Sequence, residues 1–138
     1  MNRRLFYWVN IIAPLLFGAA VYLYWRPDTY LSRLVFHFLH ISHRTAAGRP
    51  VGIYRFIRYY LCDILWAYAL VFSLAFYSGR HSLVMAYAAA AAFAVVTELL
   101  QLLPRAPGSF DILDIIVELI VCTITIFIIY SYEWRHAL

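Results

Sequence analysis

Four runs of about twenty residues, each almost free of charge, constrain the fold more than any other feature of the chain. Leu5 to Trp25 holds no charged residue. Tyr59 to Gly79 holds only Asp63, Ser82 to Leu103 only Glu98, and Ile112 to Tyr132 only Asp114 and Glu118. About 20 apolar residues of helix cross a hydrocarbon core about 30 Å thick. Lipid cannot satisfy an open backbone, so helices are the natural spanning form. The runs are too long for barrel strands and lack their alternation. The expected fold is therefore an all-α polytopic membrane protein with four transmembrane helices at about 5–25, 59–79, 82–103 and 112–132, forming a single membrane domain over residues 1–138.

Composition agrees with this reading. Of 138 residues, 65% are hydrophobic and 13% charged, whereas soluble domains are nearer half apolar and a quarter charged. A soluble fold this short could not bury so much apolar surface. Tyr7, Trp8, Tyr22, Tyr24, Trp25, Tyr59, Tyr60, Tyr77, Tyr130, Tyr132 and Trp134 gather near the run ends, as in an interfacial aromatic belt. Arg3 and Arg4 precede the first run, and Gly18-Ala19-Ala20 imitates a cleavage site. The apolar stretch continues to Trp25, so it is read as a retained helix.

The connections define the topology. Gly79-Arg80-His81 makes a tight turn between the second and third runs. Pro104 to Asp111 contains two prolines and a glycine that stop one helix, and Ser109 or Asp111 can cap the next. Asp111 followed by Asp114 resembles a capping box with a shorter acid. In the long connection, Leu31, Leu34, Val35 and Phe38 recur at helical spacing opposite Arg33, His37, His40 and Arg44. That pattern predicts an interfacial amphipathic helix over about 29–44, followed by a linker at 47–50. The third run contains Ala86, Ala88 to Ala92 and Ala94, small residues that allow close helix approach in lipid.

All eleven basic residues are arginine, and the net charge is +4. The arginines flank apolar runs, which favours topology and anionic headgroups over nucleic acid as their purpose. With four crossings, the face of the 26–58 connection receives Arg26, Arg33, Arg44, Arg49, Arg55, Arg58 and Arg105. The face of the termini receives Arg3, Arg4, Arg80 and Arg135. The positive-inside rule makes the first face cytoplasmic.

Six of the seven acids lie towards that same face: Asp28, Asp63, Glu98, Asp111, Asp114 and Glu118. Only Glu133 lies at the other. Glu98 and Gln101 are three apart, and Asp111, Asp114 and Glu118 follow at steps of three and four, so each set forms one helix stripe. At about 1.5 Å per residue, Glu98 and Glu118 would each lie about 7 Å or more inside their helix ends. Trp66 and Thr97 could join the same pocket. Ionisable groups in hydrocarbon read first as functional, with a partner to be named. Arg55, Arg58 and Arg105 are candidates. The alternative is structural: Asp111 and Asp114 cap a helix, and Asp63 sits at the interface. The candidate ligand- or partner-binding residues are thus Asp63, Trp66, Glu98, Gln101, Arg105, Asp111, Asp114 and Glu118.

Other chemistries find less support. His37, His40 and His43 do not follow a zinc pattern. Cys62 and Cys122 lie in apolar runs and form neither a disulfide framework nor a metal motif. No nucleophile motif is present, and no metal or cofactor is implied.

Thr97-Glu98-Leu99-Leu100-Gln101, then Pro104-Arg105, Gly108-Ser109-Phe110-Asp111 and Asp114, resemble the VanZ-like family of small bacterial membrane proteins. That family carries E-x-x-Q near a helix end and an acidic D-x-x-D entering the last helix. Asp63 to Leu70 is similar to the family's preceding helix, and the likeness spans about residues 59–125. The family pattern often has an Asn and small glycines after the second acid, where Glu118 stands here. The resemblance implies a bacterial inner-membrane, cell-envelope setting and a tie to glycopeptide antibiotic resistance, without naming a reaction.

Three functions follow as expectations. One is a non-enzymatic envelope protein whose acidic and amide cluster binds a lipid headgroup, a cell-wall precursor or a partner. Another is an accessory or structural subunit of a larger membrane complex; the expected partners are membrane lipids and either a membrane protein or further copies of the chain in a homo-oligomer. The third is a membrane enzyme or proton-coupled carrier using Glu98 and Glu118.

Overall fold

A computed structural model describes residues 2–25, 30–40, 60–78, 82–103 and 110–136. Among these it is all-helical. The helices are α1 (Arg3–Trp25), α2 (Tyr30–Phe38), α3 (Cys62–Ser78), α4 (Leu83–Leu100) and α5 (Ile112–Arg135). Arg26, Asp28, His43, Arg44, Arg49, Arg55, Arg58, Arg80 and Arg105 lie outside the described residues, as do the 47–50 linker and the turn at 79–81.

Among the described residues three helices, α1, α4 and α5, are long and apolar enough to cross a membrane. This is one fewer than four. The expected span at 59–79 is a regular α-helix only over the 17 residues of α3, about 26 Å at about 1.5 Å per residue. A π turn at 60–61 precedes it, so regular geometry begins later than hydropathy alone implies.

α3 is the centre of the bundle and packs against α1, α4 and α5, while α4 also packs against α5. Its Val71, Phe72 and Ala75 are fully buried, together with Tyr7, Ala86, Ala90, Cys122 and Ile129 from its neighbours. Alanines at 86, 90 and 94 are the buried residues of α4 along with Glu98. They recur every four residues, one face of a helix, and let α4 approach closely. Outside, the surface is apolar: Leu16 and Phe17 of α1, Val84 and Met85 of α4, and Ile120 and Phe127 of α5 are all more than half exposed. A water-soluble monomer rarely shows apolar patches of this extent.

The two ends of the bundle differ. At one, the start of α1 meets the end of α5: Phe6 stacks on Tyr132 at 3.6 Å between centroids, and Arg3 Nε donates to Glu133 Oε1 at 2.8 Å. At the other, the end of α4 meets the start of α5.

Two helix ends fall short of the expected ones. α2 stops at Phe38, before His40, rather than running to 44. His40 has φ 53°, the left-handed region that terminates helices. α4 stops at Leu100, and the next three amides bond three residues back, Gln101 to Glu98, Leu102 to Leu99 and Leu103 to Leu100. The chain tightens because Pro104 disfavours α geometry at the residue before it.

Candidate functional site

The end where α4 meets α5 holds most of the carboxylates. Glu98 is the one charged side chain among the buried described residues, at 5% exposure. Such a group is costly in an apolar surround unless its oxygens are satisfied. Both are. Gln101 Nε2 donates to Oε1 at 2.7 Å, and the backbone N–H of Asp111 donates to Oε2 at 3.1 Å. The first contact follows from the three-residue spacing within one helical turn. The second crosses the connection and pins the start of α5 to the end of α4.

Asp111 is the N-cap of α5. Its backbone is extended, and its Oδ1 accepts from Leu113 N–H at 2.9 Å. Ser109, the alternative cap, is outside the described residues. The capping box is completed differently from the sequence pattern. In the usual box the acid three residues on accepts from the cap's own N–H. Here Glu98 of the preceding helix does so, while Asp114 bonds through its backbone N–H to the Asp111 carbonyl.

Glu118 lies two turns into α5 and is half-buried. Its carboxylate is within electrostatic reach of Asp63, Glu98 and Asp114. Residues from α3, α4 and α5 thus converge on one charged neighbourhood. The depths of the two glutamates are unequal. Glu98 is two residues from its helix end and Glu118 six from its own, because α4 closes at Leu100. Four carboxylates of like sign repel one another in a medium less screening than water, so the arrangement suits a cation or a group rich in N–H donors. Among the described residues, no three His, Cys, Asp or Glu side chains are placed to hold a metal ion.

Not all of the candidates share this cluster. Asp63, Glu98, Gln101, Asp111, Asp114 and Glu118 do. Trp66 is turned outward, 48% exposed, beside Phe93 of α4 at 6.5 Å. Thr97 returns its hydroxyl to the Phe93 and Ala94 carbonyls of its own helix. Arg105 lies outside the described residues.

Two polar contacts were not legible in the sequence. Tyr7, 1% exposed, donates its hydroxyl to Glu133 Oε1 at 3.0 Å, the same oxygen that accepts from Arg3. In mid-bundle, Tyr68 donates to Asn10 Oδ1, while Asn10 Nδ2 donates to the Phe6 carbonyl at 2.8 Å. Asn10 is a side-chain amide in an otherwise charge-free span, and that isolation was the available signal. No family model matches this chain, and no curated protein or solved structure is similar to it.

Proposed function

We propose that this is a small multi-pass protein of a bacterial inner membrane, with four crossings and an interfacial α2. Its carboxylate and amide cluster binds the polar, donor-bearing headgroup of a lipid or lipid-linked cell-wall precursor. The observation that carries the reading is the convergence of Asp63, Asp114 and Glu118 beside a Glu98 already held by Gln101 and Asp111. Glu98 serves as the fixed floor, and the half-buried carboxylates beside it are the ligand-facing groups. Four crossings are supported by the contact between Arg3 and Glu133, since an odd number would part the ends of α1 and α5. They are also supported by the central place of α3. The resemblance to VanZ-like proteins supports the envelope setting, and the arginine count supports a cytoplasmic position for the cluster's face.

The test is isolation of the intact protein in nanodiscs, with mass spectrometry of retained lipids and proteins. The proposal predicts a lipid or precursor enriched over the bulk membrane. It should be lost in Glu118→Gln and Asp114→Asn and kept in Glu133→Gln, which alters the far end. Identical lipid profiles in all four proteins contradict it. A stoichiometric protein partner would instead favour the accessory-subunit reading, for which the exposed Ala88, Ala89 and Ala92 of α4 offer a close-packing face.

A further inference from the structure

α1 is anchored unevenly along its length. Its first half is fastened at every turn. Arg3 and Tyr7 both donate to Glu133 of α5. Phe6 stacks on Tyr132 of α5 and meets Phe72 of α3 edge-on, and Asn10 accepts from Tyr68 of α3. Phe6, Tyr7 and Ile11 all enter the buried core. After Pro14 this stops. Between residues 15 and 24 only Gly18 is buried, and it brings no side chain, while Leu15, Leu16, Phe17, Ala19 and Ala20 are exposed.

Beside this second half the bundle is open. A groove of about 420 Å³ runs between Leu15, Gly18 and Ala19 of α1 and Cys62, Leu65 and Trp66 of α3. The helices still touch at Gly18, where Leu65 lies 3.6 Å from the place of a Cβ, and the Cys62 thiol donates to the Gly18 carbonyl at 3.7 Å. A thiol is a weak donor, and one small residue gives little contact area, so these contacts part at small cost.

The two halves meet at a break in the backbone ladder. Pro14 has no N–H, so the Asn10 carbonyl loses its donor four residues on, and the ring crowds that carbonyl. Sharp bends in long helices concentrate at such prolines. The Asn10 amide does not repair the gap, because its Nδ2 donates one turn back to the Phe6 carbonyl at 2.8 Å. A fixed segment, a single weak point and a loosely held segment with space beside it are the parts of a hinge.

We infer that Pro14 is a hinge, and that the second half of α1 is an arm that swings about it against α3, opening and closing the groove. Opening lifts Gly18 from Cys62 and Leu65, and so uncovers one flank of the turn of α3 that also bears Asp63. The inference does not depend on what the carboxylate cluster binds.

Paired spin labels test it on the full chain in phosphatidylcholine nanodiscs. Cys62→Ser, which keeps a donor, and Cys122→Ala clear the background. A reference pair joins Val9 to Phe127, and an arm pair joins Ala20 to Ile116, all at exposed positions. Electron–electron double resonance should give one narrow distance distribution for the reference pair and two maxima for the arm pair. Pro14→Ala restores the backbone donor and should remove the second maximum while leaving the reference pair unchanged. A single narrow arm distribution in the parent protein overturns the inference, as do two maxima that persist in Pro14→Ala. A reference pair as broad as the arm pair also overturns it, since the whole bundle would then be loose.

Discussion

Glu98 carries two jobs that its sequence position only half reveals. Its partnership with Gln101 is legible from spacing alone, because residues three apart share a helix face. Its bond to the Asp111 N–H is not, since the two are 13 residues apart across a connection whose path only the folded chain fixes. The consequence is a contrast between the two glutamates. Glu98→Ala leaves the Asp111 N–H and the Gln101 amide without their acceptor, and should cost about 2–3 kcal/mol. Glu98→Gln should cost less than Ala, because one oxygen remains to accept while the new NH₂ opposes a donor. Glu118→Gln should leave stability unchanged or slightly raised. No hydrogen bond from a described residue reaches Glu118, and the substitution removes one of four mutually repelling charges. Thermal unfolding in a single mild detergent reads all three. Equal losses in Glu98→Ala and Glu118→Gln would refute this division of roles.

At the scale of elements, hydropathy located the helices well and their ends poorly. α1 and α5 follow their apolar runs closely, because burial in lipid rewards every apolar residue along them. α2 and α4 end early for local backbone reasons, a left-handed His40 and the proline at 104, which hydropathy does not register. What joins α1 to α3 was also hidden. A lone Asn10 has no visible partner in sequence, yet it meets Tyr68 58 residues away. Pro14 inside α1 removes one backbone donor, and the helix continues, as membrane helices with proline often do. Interhelical hydrogen bonds of this kind contribute about 0.6–1.7 kcal/mol in lipid. Tyr68→Phe should therefore lower α1–α3 stability by about 1 kcal/mol without altering the fold. The same thermal assay, with circular dichroism to confirm unchanged helicity, checks it. A loss of helical content would mean that the pair is needed for assembly and does more than tie two formed helices together.

For the whole molecule, the all-helical class and the gathering of Asp63, Glu98, Asp114 and Glu118 at one end of the bundle could be read from the chain, because both depend on the order of runs and loops. The closure of the bundle could not. It depends on Arg3, Tyr7 and Glu133 meeting through a separation of more than 120 residues, and on α3, the shortest of the four apolar helices of the bundle, occupying its centre. The central claim is that α3 crosses the membrane with the others and so gathers the carboxylate cluster at one face. Single-cysteine labelling from the two sides of sealed vesicles tests this most directly, in a Cys62→Ser, Cys122→Ala background, with cysteines placed at Asn2, Ser82, Leu103 and His136. Four crossings predict that positions 2, 82 and 136 label from one side and 103 from the other. If 2 and 136 label from opposite sides, α3 does not cross and the proposed single-faced cluster is contradicted.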